Sequence, residues 1–222
     1  PFYLSELLNN TNVVNMGVLG YGPEQFYLRF DKSNLKPNVV IFSIYVYDTA
    51  RTTRKFYNYF KPRFLIINNS LSLDKSYKIP NIAEAINIYH QNKFRSYLFS
   101  MIYHNSQIIL NRITHYQDNR QIEITIKIIQ KMELLAKEKN FKLIITVIPT
   151  KNMVESIEEP PALWIYKKLT KQLENNNIHY IDFLPALQKH YNATHEPLYV
   201  THLKSEGNKV IAIELFNKLK ES

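Results

Sequence analysis

Asn12 to Gln25, NVVNMGVLGYGPEQ, is the stretch on which the reading of this chain turns. It holds Gly17, Gly20 and Gly22, three of the four glycines in 222 residues. A chain so sparing with glycine that places three so close together needs a sharply turning backbone there, through positive φ or close approach of another group. Asn12, Val13, Val14, Asn15 and Met16 read as a short strand leading into that turn. The turn is then at a strand's carboxyl end, the edge at which open α/β sheets bind ligands.

Working outward, Glu24 to Phe30 reads as a helix, Leu35-Lys36-Pro37 as a breaker, and Asn38 to Asp48, NVVIFSIYVYD, as a strand buried on both faces. Strand, turn, helix and strand make a βαβ unit, with both strand ends on one edge of the sheet. Before it, FYLSELL suits the end of a helix. Residues 49–83 read as an irregular insertion or flap, rich in aromatics, Asn and Ser. Ile82 to Ile113 has spacing suited to one or two helices. Gln121 to Asn140 reads as one long helix, although Ile122, Ile124, Ile126 and Ile128 alternate as a strand would. Phe141 to Ile148 is a buried strand ended by Pro149. Pro160 and Pro161 open a helix that Asn175, Asn176 and Asn177 close. His179 to Phe183 forms a short last strand, and Ser205 to Lys220 a helix with an inward stripe of Ala212, Leu215, Phe216 and Leu219.

Composition, 45% hydrophobic and 21% charged, fits one globular domain over residues 1–222. The absence of cysteine excludes disulfides, thiolate zinc sites and a cysteine nucleophile. No apolar run reaches the roughly 18 residues of a membrane span. The net charge of +9 is scattered over polar helix faces, not gathered into a stripe with aromatics, so no nucleic-acid partner is expected. One local group, Arg51, Arg54, Lys55, Lys61 and Arg63, follows a strand end and could border a site. None of the histidines falls in HExxH or another metal-ligand pattern, so no metal is expected.

Taken together, NMGVLGYGPEQ, PNVVIFSIYVYD and EPLYVTHLKSEGNKVIAIEL, with KPRF, TVIP and HYIDF between them, resemble the SGNH (GDSL-type) esterases and acyltransferases. The likeness runs in order over nearly the whole chain. It implies a three-layer α/β/α sandwich with a mainly parallel, flavodoxin-like sheet. It also implies acyl transfer from a serine, needing no cofactor, on a small-molecule or glycan ester. That family carries the nucleophile in Gly-Asp-Ser, an oxyanion N–H in the glycine turn, an oxyanion Asn in Gly-x-Asn-Asp, and a base in Asp-x-x-His or Asp-x-His.

Carried over by position, the oxyanion glycine is Gly20 and the base is His202. Three departures stand out. No Gly-Asp-Ser or Gly-x-Ser-x-Gly occurs, so no serine here, Ser43, Ser70, Ser100 and Ser106 included, sits in a nucleophile elbow. Tyr47 stands where the family has Asn, with Asp48 next to it. Tyr199 and Val200 fill the positions from which an Asp would orient His202. The family's Gly-Asp-Ser strand lies inside the sheet, between the strand at Asn12 and that at Asn38, so the expectation is that it lies in about 15 to 40 residues upstream of Pro1. Arg51, Arg54 and Lys55, just beyond Asp48, are placed to meet an anionic ligand.

Two other classes stay open. One is a catalytically impaired SGNH-like module that binds a glycan, an acyl ligand or a partner protein. The other is a nucleotide-binding βαβ domain, although the glycines read G-x-x-G-x-G and Pro23 occupies the helix opening.

Overall fold

The computed structural model describes residues 1–9, 11–54, 56–57, 59–74, 119–155 and 161–220. The elements are α1 (Phe2–Leu7), α2 (Pro23–Asp31), β1 (Val39–Tyr45), a 3₁₀ turn (Val46–Arg51), β2 (Phe56–Tyr57), β3 (Tyr59–Phe60), β4 (Phe64–Ile67) and β5 (Ser70–Leu73). They continue with α3 (Asn119–Lys139), β6 (Lys142–Ile148), α4 (Lys151–Glu155), α5 (Pro161–Asn175), β7 (Tyr180–Asp182), α6 (Leu184–Thr194) and α7 (Ser205–Lys220). The fold is mixed α/β, built on a three-stranded parallel sheet in the order β1-β6-β7.

The two faces of that sheet can be read from alternate side chains. Val40, Phe42 and Ile44 of β1 and Leu143, Ile145 and Val147 of β6 join one cluster with α2, α3 and α5. Ile41 and Ile148 join a second with α1, α6 and α7. Helices therefore cover both faces, as continuous apolar strands require. The first half of α3 is buried almost all round: Ile122, Ile124, Thr125, Ile126, Ile128 and Ile129 are all enclosed. That explains why its sequence alternates like a strand: a helix enclosed on several sides loses its single apolar stripe.

Several boundaries follow from local chemistry. Asn140 ends α3 in the left-handed region at φ 55°, and Asn177 does the same after α5 at φ 54°, with Ile178 N–H returning to the Leu173 carbonyl at 2.9 Å. β1 stops at Tyr45, short of the expected Asp48. Thr49 Oγ1 donates to the Val46 carbonyl and Thr52 Oγ1 to the Thr49 carbonyl, both at 2.8 Å, and these bonds curl the chain into the 3₁₀ turn. The described part of the 49–83 insertion is more regular than expected. Asn68 and Asn69, both at positive φ, turn β4 into β5, and Lys127 of α3 donates to the Asn69 carbonyl at 2.7 Å. The helices expected over Ile82 to Ile113 lie outside the described residues.

One expectation is corrected. Asn12 to Met16 is irregular, and Asn12, Val14 and Asn15 face solvent. A β-branched run has strand propensity, but a strand needs a ladder partner, and this segment has none among the described residues. The βαβ unit read from the sequence therefore lacks its first strand. Among the described residues β1 in turn is an edge. Lys142 N–H bonds the Asn38 carbonyl, so in a parallel ladder the backbone groups of Val39, Ile41, Ser43 and Tyr45 point away from β6. No described strand meets them.

Candidate functional site

The glycine turn is a type II β-turn. Tyr21 N–H bonds the Val18 carbonyl at 3.2 Å, and Gly20 occupies the third position at φ 81°, a conformation that strains any residue with a Cβ. Gly20 is buried, and its N–H has no bond to another described residue. Gly22 is a glycine for a different reason. Its backbone is extended, but a Cβ there would lie 2.5 Å from Glu24 Oε2. Gly22 N–H is itself tied to Gln25 Oε1 at 3.3 Å, which closes the first turn of α2.

Beneath this turn Glu24 and Lys61 form a fully buried ion pair. Burial pulls the Lys61 ammonium pKa down; the Glu24 carboxylate opposes that, and Arg51 and Arg54 reinforce it. Asp48 comes in from the 3₁₀ turn. Its pKa is pushed up to about 6, mainly by burial, with Arg51 lowering it and Glu24 raising it. Arg51 Nη1 lies 3.0 Å from Asp48 Oδ1 and donates to the Tyr21 carbonyl at 2.9 Å. Arg63 Nε meets Asp74 Oδ2 at 2.9 Å. The basic group read from the sequence is thus largely matched with acids: Arg51 with Asp48, Lys61 with Glu24, Arg63 with Asp74. Arg54 is half-buried beside Lys61, and Lys55 lies outside the described residues.

Tyr47 does not simply replace a polar side chain at the strand end. Its ring packs against the core, edge-on to Tyr45 with centroids 6.0 Å apart. Burial, followed by Tyr47 and Asp48, pushes the Tyr45 phenol up to about 12.

The His202 loop is fixed to the same edge of the sheet. Tyr199 is buried, its hydroxyl donates to the Pro149 carbonyl at 2.8 Å just past β6, and its N–H donates to Glu155 Oε1 at 2.9 Å. Burial, then nearby Tyr45 and Glu155, raise the Tyr199 pKa, so this phenol stays protonated. Tyr199 and Leu203 form an antiparallel bridge, with Val200 N–H on the His202 carbonyl at 3.0 Å. Gly207 lets α7 close on this loop, since a Cβ there would lie 2.5 Å from Leu203 Cδ2 and 3.1 Å from the Leu198 carbonyl. The His202 imidazole is exposed and has no hydrogen bond or carboxylate partner among the described residues.

The structure therefore pairs Asp48 with Arg51 and ties Arg51 to Tyr21, the residue after Gly20, sets Tyr47 half-buried against the core beside Tyr45, and holds His202 on a separate loop reached through Tyr199. Sequence reasoning missed Glu24 and Glu155 as parts of this edge, and read Lys61 only as one of a basic group and Tyr199 only as a replaced Asp. The nearest signal was Gly22, whose bare Cα is explained by the Glu24 carboxylate. A shallow depression of about 440 Å³ lined by Glu133, Lys137 and Phe141 lies at the other end of β6 and contains none of these groups. Among the described residues no cluster of His, Asp and Glu could hold a metal ion, and no helix is long and apolar enough to cross a membrane.

Comparison with family models, with curated proteins and with solved structures finds no match for this chain.

Proposed function

We propose that this chain is an SGNH-type serine esterase or O-acyltransferase, of flavodoxin-like α/β/α architecture, acting on a small-molecule or glycan ester. The observation that carries this reading is that two loops far apart in sequence are anchored at the carboxyl ends of adjacent parallel strands. Arg51 ties the Gly20 turn to the end of β1, and Tyr199 ties the His202 loop to the end of β6. Ligand chemistry in open α/β sheets gathers at that edge.

In this reading the nucleophilic serine sits on a strand seated against the outer edge of β1, the position that the family resemblance implies for it. His202 takes the serine Oγ proton as Oγ adds to the ester carbonyl carbon. The Gly20 N–H, with Tyr47 as the second donor of the resemblance, faces the oxyanion that forms. Collapse expels the alcohol with the proton from His202, and water or an acceptor hydroxyl then resolves the acyl-serine in the same way.

The test is hydrolysis of a short-chain aryl ester by the full-length protein. Replacing His202 by Ala is expected to lower kcat by about 10³-fold or more. Full activity in that variant would overturn the assignment. A second reading, an impaired module that binds a glycan, an acyl ligand or a partner protein, draws on the lack, among the described residues, of a carboxylate beside His202. No turnover by the full-length protein, with retained binding of an ester analogue, favours it.

A further inference from the structure

Arg51 joins two pieces of backbone that the chain delivers separately. One is the 3₁₀ turn that follows β1; the other is the glycine turn that precedes α2. The same nitrogen, Nη1, lies 3.0 Å from Asp48 Oδ1 and bonds the Tyr21 carbonyl at 2.9 Å. The Tyr21 carbonyl belongs to the peptide that leads into Gly22, and the Tyr21 N–H closes the turn in which Gly20 is the third residue. Gripping that carbonyl fixes how the turn is rotated against the sheet, and with it the direction of the Gly20 N–H. A guanidinium suits this task, since it is planar, permanently charged and offers several donors in a rigid fork.

The surroundings leave this contact mostly enclosed. Asp48 and Arg51 are both mostly enclosed. Glu24 on α2, itself held by Lys61, is near enough to Asp48 to act on its charge, as Asp48 is to Tyr45 at the end of β1. Arg51 therefore has its positive charge matched by a carboxylate within its own turn, and its reach is taken up by backbone. That use differs from the ligand contact expected of it in the sequence.

We propose that Arg51 is a positioning residue, which aims the Gly20 N–H at the developing oxyanion by clamping the Tyr21 carbonyl to Asp48. Its catalytic meaning rests on the acyl-transfer reading above, whereas the clamp does not.

The experiment uses the full-length protein as wild type, Arg51→Ala, Arg51→Lys and Asp48→Asn. Amide hydrogen exchange is followed over Val18 to Gly22, with α3 as an internal reference for an intact fold. Exchange in the glycine turn is expected to speed up about tenfold in Arg51→Ala, with partial rescue in Arg51→Lys and an intermediate rate in Asp48→Asn. In ester hydrolysis, Arg51→Ala is expected to lose about 10- to 100-fold in kcat with KM changed less than about twofold, the pattern of a weakened transition-state contact. Unchanged exchange in Arg51→Ala overturns the clamp. Faster exchange with unchanged kcat overturns the positioning role. If the wild type hydrolyses no ester, the acyl-transfer reading falls while the exchange rates still decide the clamp.

Discussion

The Tyr199 hydroxyl donates to the Pro149 carbonyl at 2.8 Å, across 50 positions of sequence and inside the protein. Pro149 follows β6, so this bond, with the one from Tyr199 N–H to Glu155, ties the His202 loop to the end of that strand. Tyr199→Phe keeps the ring and leaves a buried carbonyl without its donor. The expected cost is about 1–3 kcal/mol, read as a lower urea midpoint at unchanged slope. A midpoint equal to wild type would show that water satisfies the carbonyl instead.

Gly20 and Gly22 are expected to fail for different reasons. Gly20→Ala places a Cβ at φ 81°, which costs roughly 1–2 kcal/mol through backbone strain alone. Gly22→Ala drives a Cβ into the Glu24 carboxylate, which Lys61 holds in place, for about 1–3 kcal/mol of overpacking. Shortening the obstacle separates the two: Glu24→Ala in the Gly22→Ala background should add less destabilisation than Glu24→Ala alone, while no such coupling is expected with Gly20→Ala. Denaturation of the double-mutant cycles supplies both numbers.

The Glu24–Lys61 pair is fully enclosed, so removing one partner strands a charge. Lys61→Met is expected to cost about 3–5 kcal/mol, and the double change Glu24→Leu/Lys61→Met to recover most of it, since well-packed apolar groups often replace a buried ion pair without loss. Chemical denaturation of the four proteins tests this. A double variant no better than Lys61→Met would mean that the pair fixes the local fold in a way packing cannot replace.

Asp48 ties stability to pH. Its carboxyl has a folded-state pKa of about 6 against an ordinary value of 3.8, so the folded protein holds the proton more tightly than the unfolded chain. The stability from that proton is complete below about pH 4 and is lost as pH rises through about 6. The span is roughly 3 kcal/mol at about 1.4 kcal/mol per unit. Asp48→Asn should flatten this part of the profile of unfolding free energy against pH. An identical slope in wild type and variant between pH 4 and pH 6 would remove Asp48 as its source.

What could be read in the sequence was whatever depends on neighbours along the chain. The apolar runs at Val39 and Lys142, the helix-rich composition of α3 and the three asparagines that end α5 each carry their own instruction. Asn12 to Met16 misled because strand propensity says nothing about whether a second strand lies alongside. The helix LPALQKHYNAT, α6, gave little warning beyond the proline in its first turn. At the candidate site the glycines marked the right place, but their reasons could not be told apart. The carboxylate that Gly22 accommodates belongs to an ion pair formed across 37 positions, and no spacing rule links Glu24 to Lys61. The basic group around Arg51 looked like an open patch for the same reason: its acids are Asp48, Glu24 and Asp74, and only Asp48 is close to its partner in sequence.

The packing of α1 against α7 carries a consequence for biosynthesis. Tyr3 bonds Ser205, Lys209 lies over the Tyr3 ring, and Leu4 shares a core with Ala212 and Leu215. A six-residue helix cannot hold its shape alone in water, so α1 stays unformed until its partner emerges from the ribosome. At roughly 5–20 residues per second that wait is about 10–40 s. For that interval Leu4 and the other apolar residues of α1 lack the core they will join, and a nascent chain in this state is a natural client for chaperones.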